Sequence, residues 1–267
     1  MEGSLSNPQS QNGTYPGMRD FLEEKVRQYN NPAFIEQDPI RVPHLFTRKE
    51  NIEIAGFLTA SIAWGQRQVI IRNALRLLQM MDNDPIYFLL NARENDFRVF
   101  SRFRHRTFGG EDCICFMRSL AVIYLDHGGI GTVFTEGYRK WGELDRCLLH
   151  FRETFLSAGI PGRTARHVPD ISKNSAAKRL NMYLRWMIRR DGNGVDFGLW
   201  EEIPMSALYI PLDVHTGTVA RKLGLLKRRS NDWKAVQELT GVLRDFDITD
   251  PVKYDFALFG LGSYEDF

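Results

Sequence analysis

Apolar residues recur at helical spacing along most of this chain, and that periodicity is the feature that most restricts its fold. Residues 47–64, 69–78, 112–127 and 175–190 all carry apolar side chains three or four positions apart. This spacing places the apolar residues on one face of an α-helix. The alternation of apolar and polar residues that marks a half-buried strand is nearly absent, so we expect an all-α fold.

Charge is concentrated locally, because the net charge of the 267-residue chain is only +2. From Arg163 to Arg190 there are eight lysines and arginines but a single acid, Asp170, and five more basic residues lie between Arg221 and Arg229 without any acid. Most such runs solvate helix faces, which is the plain alternative. Basic clusters of this kind also bind the phosphates of nucleic acids.

The cysteines and the ends of the chain restrict its class. Three cysteines are too few for a disulfide framework or a four-cysteine iron–sulfur cluster, and the histidines form no zinc pattern. Residues 1–17 are polar and predict a disordered tail without the features of a signal peptide. No apolar run is long enough to span a membrane. We therefore expect a cytoplasmic monomer with no membrane association, no metal and no cofactor.

The stretch 210–225 (IPLDVHTGTVARKLGL) leads from apolar residues through Asp213 into a helix. An aspartate at that position is a typical N-cap, since its carboxylate accepts hydrogen bonds from the first-turn N–H groups. The same placement keeps the carboxylate ionised and lets it stabilise a developing positive charge. The local sequence alone favours the plain N-cap.

Two further stretches bear on that choice. Residues 168–180 (VPDISKNSAAKRL) predict a tight turn that opens a helix, and the free N–H groups of such a helix start can bind an anion. The basic residues of this turn–helix junction favour phosphate binding over a solvated helix face. Residues 60–68 (ASIAWGQRQ) predict a corner between two helices, with Gln66 and Arg67 projecting from it or serving as ordinary turn residues.

Together these stretches resemble the helix-hairpin-helix DNA glycosylase superfamily, the endonuclease-III-like base-excision enzymes, over roughly residues 45–225. The closest match is 212–224 (LDVHTGTVARKLG), against the superfamily's Val-Asp-Thr-His-x-x-Arg-Val-x-x-Arg-Leu-Gly. The hairpin match at 168–176 is loose, because Asp170 and Ser172 replace both of its glycines. More narrowly, residues 178–187 (KRLNMYLRWM) and 251–258 (PVKYDFAL) are similar to a bacterial family of uncharacterised proteins common in Bacteroidetes, a domain of unknown function.

The resemblance implies a two-lobed architecture with a cleft between the lobes. We expect a terminal lobe of residues 18–45 plus 179–267 and an inserted helical-bundle lobe of residues 46–178 that ends in the hairpin. The long insertion before Asp213 is similar to that of the archaeal 8-oxoguanine glycosylases. The implied partner is double-stranded DNA, and the implied activity is excision of a damaged base such as 8-oxoguanine, with or without strand cleavage at the abasic site. Two alternatives stay open: a non-catalytic nucleic-acid-binding protein on the same scaffold, and an enzyme that acts on a free nucleoside or nucleotide.

The resemblance also implies residue roles. Asn174 occupies the position of the superfamily's Schiff-base lysine and cannot be a nucleophile. Lys178 lies one helical turn further along the same face, which makes it the candidate nucleophile beside Asp213, although a surface lysine is nearly as good an interpretation. The implied DNA contacts are Gln66, Arg67, Lys173, Ser175 and Arg179, with a second strip at Arg102, Arg104, His105 and Arg106. The implied base-stacking residues are Trp64, Trp186, Phe197 and Trp200, although aromatic residues at helical spacing are more often core.

Overall fold

The described chain is built almost entirely of helices, which confirms the all-α fold. The computed structural model describes residues 15–265 and residue 267, so residues 1–14 of the expected disordered tail lie outside it. The strands within the described residues are the two-residue β1 (Arg104–His105) and β2 (Phe108–Gly109), which pair antiparallel. In chain order the helices are α1 (Met18–Tyr29), α2 (Ala33–Gln37), α3 (Lys49–Ser61), α4 (Arg67–Gln79), α5 (Pro85–Asn91), α6 (Gly110–Asp126), α7 (Ile130–Trp141), α8 (Leu144–Leu156), α9 (Gly162–Ala165), α10 (Lys178–Ile188), α11 (Val214–Lys222), α12 (Trp233–Phe246) and α13 (Tyr254–Tyr264).

Local side chains fix several helix boundaries. The carboxylates of Asp84, Asp213 and Asp232 each accept a hydrogen bond from a first-turn N–H, at the starts of α5, α11 and α12. Such caps satisfy backbone donors that have no partner inside the helix. Gly142 ends α7 in the left-handed region, with φ of 65°. Short 3₁₀ turns connect other segments: Pro39–Arg41, Pro43–Leu45, Asp96–Arg102, Ile171–Lys173, Met205–Ala207 and Pro251–Lys253.

One part of the core is aromatic and lies between α3, α6 and α8. The Phe57 ring lies 5.4–6.1 Å, between centroids, from the rings of Phe116, Phe151 and Phe155. Tyr183 of α10 joins this cluster, at 5.6 Å from Phe57. Burying aromatic rings removes a large apolar area from water, so the cluster holds α10 against α3.

A second part of the core joins the first and last helices. Helix α13 packs on both α1 and α11. At Gly260 an added Cβ would lie 2.1 Å from the Tyr29 ring, so only glycine permits α1 and α13 to approach this closely. Helix α12 packs against the 3₁₀ turn that precedes α13. The start of α11 is thereby held by the last helix of the chain.

Helix α10 crosses both parts of the core and begins later than the sequence predicts. Its first helical residue is Lys178, because Ala177 adopts a left-handed conformation with φ of 47°. A left-handed residue cannot continue a right-handed helix, so Ser175 belongs to the preceding loop. As a result, Lys178 and Arg179 occupy the first turn of α10.

Within the described part of the chain, no single helix is long and apolar enough to cross a membrane. Helices α6 and α7 reach that length and composition only as a pair, and the chain bends by 62° between them.

Candidate functional site

A cavity of about 560 Å³ opens where the α3–α4 corner, α10, the start of α11 and α13 meet. The corner contributes Trp64 and Gly65, and α13 contributes Asp255 and Phe259. This volume lies within the range of roughly 300–1,000 Å³ that small-molecule sites occupy. Helices distant in sequence therefore surround a space large enough for an organic ligand.

Lys178 and Asp213 meet in this cavity. Lys178 is the first residue of α10 and Asp213 is the N-cap of α11, and Lys178 Nζ lies 3.8 Å from Asp213 Oδ2. The two side chains are 28% and 27% exposed, respectively. A ligand in the cavity can therefore reach an amine and a carboxylate at the same point.

Asp213 is fixed by its backbone surroundings. Its Oδ1 accepts a hydrogen bond from the Thr216 N–H at 3.0 Å, and the Asn231 side-chain amide donates to its carbonyl oxygen at 2.9 Å. Asn231 is held in turn by Arg221, whose Nη2 donates to Asn231 Oδ1 at 2.6 Å. One carboxylate oxygen thus serves the helix, while the other faces the lysine.

The wall opposite the corner holds a buried ion pair that the sequence analysis did not single out. Arg185 Nη1 donates to Asp255 Oδ2 at 2.6 Å, and both residues line the cavity. Burial raises the pKa of Asp255 to about 6, although Arg185 opposes the shift, and the nearby Asp213 carboxylate adds to it. Asp38 also lines the cavity, and burial raises its pKa as well. A sequence signal did exist for Asp255, since a charge inside an apolar helix segment is rarely buried without a partner.

Arg179 lines the cavity and, among the described residues, forms no ion pair with a carboxylate. Its guanidinium carbon is 4.6 Å from the centre of the Trp64 ring, and its Nη atoms donate to the carbonyl oxygens of Ser61 and His167. Burial lowers its pKa to about 10, with no opposing contribution from an acid. A half-buried cation bonded only to carbonyls and an aromatic ring can still accept an anionic ligand.

Other predicted residues are divided between the cavity and its surroundings. Trp64, Trp186 and Arg67 line the cavity. Among the described residues, the buried Trp186 indole N–H has no hydrogen-bond partner. Gln66 is the exposed residue that precedes α4 and does not line the cavity, so it lies outside, next to Arg67.

Two aromatic predictions do not fit this cavity. Trp200 is 1% exposed, donates from Nε1 to Glu53 Oε1 at 2.8 Å and stacks on Phe134. It is therefore a core residue that cannot stack on a ligand here. Phe197 stacks on His44 at 4.2 Å between ring centroids and lies outside the cavity lining.

The hairpin residues lie beside the cavity rather than in it. Asn174 is exposed and donates to Asp232 Oδ2 at 3.0 Å, which points it away from Asp213. Lys173 is largely exposed, with its Nζ 4.0 Å from Asp170 Oδ2. The Ser175 hydroxyl accepts from the Ala177 N–H at 3.3 Å. An Asx turn shapes the loop in place of the missing glycines, since Asp170 Oδ1 accepts from the Ser172 N–H and hydroxyl.

The basic strip at 102–106 is only partly exposed. Arg102, Arg104 and Arg106 are exposed, and the Arg106 guanidinium packs over Gly65 at the cavity rim. His105 is buried: its ring nitrogens bond to the Trp64 carbonyl and to Asn73, and burial lowers its pKa. The expectation that His105 contacts a phosphate is therefore wrong, because both nitrogens are occupied inside the fold.

The described residues contain no group of three or more histidine, cysteine, aspartate or glutamate side chains arranged to hold a metal ion.

Fold and cavity together define an all-helical protein with a lysine–aspartate pair in a cleft between helices. Residues 38–264 match the model of the family described as "Protein of unknown function (DUF2400)", and the chain belongs to that family. The narrower resemblance drawn from residues 178–187 and 251–258 to a domain of unknown function is thereby confirmed. Neither a curated protein nor a solved structure gives a significant match.

Proposed function

We propose that this protein is a DNA glycosylase of the helix-hairpin-helix type that also cleaves abasic sites, with Lys178 as nucleophile and Asp213 as its carboxylate partner. The observation that carries the proposal is the 3.8 Å approach of Lys178 Nζ to Asp213 Oδ2 inside a cavity of about 560 Å³. An amine held against a carboxylate in a cleft is the arrangement needed for nucleophilic catalysis at a sugar carbon.

The order of the helices along the chain also supports a glycosylase of the helix-hairpin-helix type. The short helix α9, the loop 166–177 and α10 form a helix–loop–helix, and the capped start of α11 follows it. On the two-lobed division, Trp64 and Gly65 belong to the inserted lobe and Asp213 and Asp255 to the terminal lobe. The cavity thus has walls from both proposed lobes, as a cleft for an extruded base requires.

The proposed chemistry begins with the damaged nucleotide rotated into the cavity. Asp213 Oδ2 accepts a proton from the Lys178 ammonium, and the freed amine attacks C1′ of the sugar. The C1′–Nζ bond forms as the bond from C1′ to the base breaks, and the base nitrogen takes up a proton as it leaves. The attached nitrogen then gives up a proton, and the C1′–O4′ bond breaks as O4′ takes up a proton, which gives a Schiff base. The Schiff base loses a proton from C2′ as the C3′–O bond breaks and the 3′ phosphate leaves. Asp213 is neutral after it has taken the Lys178 proton, and it returns that proton to O4′ when the sugar ring opens.

The surrounding groups suit this substrate. Trp64 presents an aromatic surface to the cavity, and Arg179 is an unpaired cation beside it. An aromatic face can stack on a base and a guanidinium can bind a phosphate in two-point contact. Arg67 and Arg106 add positive charge at the rim.

The test is excision from synthetic duplexes that carry 8-oxoguanine, uracil, hypoxanthine or a preformed abasic site. We expect the wild-type protein to cleave the abasic duplex and to release at least one of the bases. Lys178→Gln should lose strand cleavage by a factor on the order of 10²–10⁴, the usual size of a proton-transfer or nucleophile contribution. Lys234→Gln is the matched control, because Lys234 is an exposed lysine of α12 that does not line the cavity.

The abasic duplex makes the result independent of which base is recognised. Binding of duplex DNA without cleavage of any of the four substrates would reject the catalytic proposal in favour of a non-catalytic DNA-binding protein. Equal cleavage by wild type and Lys178→Gln would reject Lys178 as the nucleophile.

A further inference from the structure

Helix α4 carries positive charge that no acid on the same helix offsets. Its thirteen residues, 67–79 (RQVIIRNALRLLQ), include three arginines, two glutamines and no acid. Across the whole chain the basic and acidic residues nearly balance, at 35 and 33. Helix α4, which starts at the cavity, therefore concentrates positive charge that the total for the chain does not show.

The outer face of α4 is arranged as a row. Gln68, Arg72, Arg76 and Gln79 are all exposed, and their spacing places them along one side of the helix. Together with Arg41 from the preceding 3₁₀ turn they line an open groove of about 490 Å³. Arg41 is oriented by a hydrogen bond from its Nη1 to the Glu36 carbonyl at 3.0 Å, not by a carboxylate.

Like charges one turn apart have a cost. Arg72 and Arg76 are at i and i+4, where two cations destabilise a helix by a few tenths of a kcal/mol. Neither forms an ion pair among the described residues, whereas exposed arginines elsewhere do, as with Arg139 to Glu202 and Arg146 to Glu143. A polyanion laid along the groove would remove this repulsion and supply the missing partners.

We propose that the outer face of α4, from Gln68 to Gln79 with Arg41, binds the phosphate backbone of duplex DNA that flanks the nucleotide in the cavity. The inference rests on the proposed function for its choice of partner and extends it to a surface outside the site. Arg67, in the first turn of α4, lines the cavity, and the row begins at the next residue, Gln68. Gln68 and Gln79 are eleven positions apart, so the row spans about 16 Å at 1.5 Å per residue. Successive phosphates of one strand advance about 3.4 Å along the duplex axis, so the row covers several of them.

The test compares Arg72→Gln/Arg76→Gln with Arg139→Gln/Arg146→Gln, which also removes two exposed arginine charges but from residues outside the groove. Binding to an undamaged duplex is measured by fluorescence anisotropy between low and moderate salt. For the α4 variant we expect affinity to fall on the order of tenfold, and the slope of log K against log salt to become shallower by about 2, near 0.9 per lost phosphate contact. The control variant should keep the wild-type slope. Thermal melting should show both variants folded, since glutamine is nearly as good a helix former as arginine.

Equal slopes for the two variants would overturn the inference, and so would displacement of the duplex by polyglutamate as effectively as by competitor DNA. The outcome is separable from that of the proposed function, because the duplex contains no lesion and binding needs no catalysis. A shallower slope together with no cleavage of abasic DNA would keep the α4 surface and reject the glycosylase. Cleavage of abasic DNA together with unchanged salt slopes would keep the glycosylase proposal and reject the α4 surface.

Discussion

Both ends of α10 carry basic side chains that face carboxylates, but those at the start are partly exposed and those at the other end are buried. At its start, Lys178 lies 3.8 Å from Asp213 with both side chains more than a quarter exposed, and Arg179 has no carboxylate partner. At its other end, Arg185 and Arg189 are at most 5% exposed and bond to carboxylates at 2.6–3.2 Å. The carboxylates of that second cluster are Asp191, Asp196, Asp250 and Asp255.

This difference separates a cluster that stabilises the fold from a group of side chains that can still bind a ligand. In the buried cluster nearly every arginine N–H group has a carboxylate acceptor, so the cluster joins α10 to the loop after it and to the start of α13. At the cavity end the groups are held in place but their hydrogen-bonding capacity is incomplete. Charge alone therefore does not identify the site on this helix; incomplete pairing at a cavity does.

The largest expected effect is on stability, from the buried end. Replacing Arg189 with methionine leaves Asp196 and Asp250 buried without one of their cations, which costs about 3–5 kcal/mol for a broken buried pair. Urea unfolding, monitored by circular dichroism, measures this loss of unfolding free energy. Arg139→Met, which breaks an exposed pair with Glu202, should leave the midpoint unchanged, and an equal loss in both variants would contradict the comparison.

The next effect is on activity, at Asp213. Asp213→Asn keeps a side-chain oxygen to cap Thr216 but removes the negative charge, so excision should slow on the order of 10²–10³-fold. The helix cap should survive, because asparagine caps as well as aspartate, whereas Asp213→Ala should also lose about 0.5–2 kcal/mol of stability. Single-turnover cleavage and thermal unfolding separate the two. Full activity in Asp213→Asn would show that the residue is only a cap.

Asp255 lines the cavity and also belongs to the buried cluster. Its raised pKa predicts that the stability of the protein depends on pH. Its pKa is raised from 3.8 to about 6 in the folded protein, so the folded state holds this proton to a higher pH than the unfolded chain. Wild-type stability from this group therefore falls as pH rises from about 4 to 6 and is constant above. Asp255→Asn lacks the titration, so its unfolding free energy relative to wild type should rise by about 2 kcal/mol between pH 4 and 7, since one pKa unit corresponds to about 1.4 kcal/mol and the unfolded carboxyl is already about half ionised at pH 4. Urea unfolding at a series of pH values measures this, and parallel curves for the two proteins would contradict it.

The smallest effect is the stability change at Lys178. A partly exposed ion pair contributes about 0–1 kcal/mol, so Lys178→Gln should unfold within about 1 kcal/mol of wild type in the same urea assay. A loss as large as that of Arg189→Met would mean that Lys178 is a structural residue like those at the far end of the helix.

Much of the fold and part of the site could be predicted from the sequence. Helical periodicity gave the all-α class, and the N-cap pattern placed Asp213 at the start of α11, because both signals depend on residues close together in the chain. The sequence also indicated that Asn174 cannot be a nucleophile. In the structure its side chain donates to Asp232 and does not line the cavity.

The remaining features depend on contacts between distant segments. Asp38 and Asp255 are more than 200 residues apart and become neighbours of one cavity only through folding. Trp64 and Trp200 both lie in segments that connect helices, and only packing decides that Trp64 lines the cavity while Trp200 is buried against Glu53. The late start of α10 follows from the left-handed conformation of Ala177, which alanine rarely adopts.

Borohydride trapping on an abasic duplex tests the central claim, that the pair at the start of α10 is chemically active. Reduction of a Schiff base joins the DNA permanently to the amine that formed it, and digestion followed by mass spectrometry identifies that residue. We expect a trapped complex with the DNA remnant on Lys178, absent in Lys178→Gln and present in Lys234→Gln. No trapped complex with the wild-type protein, or an undiminished one in Lys178→Gln, would contradict the account.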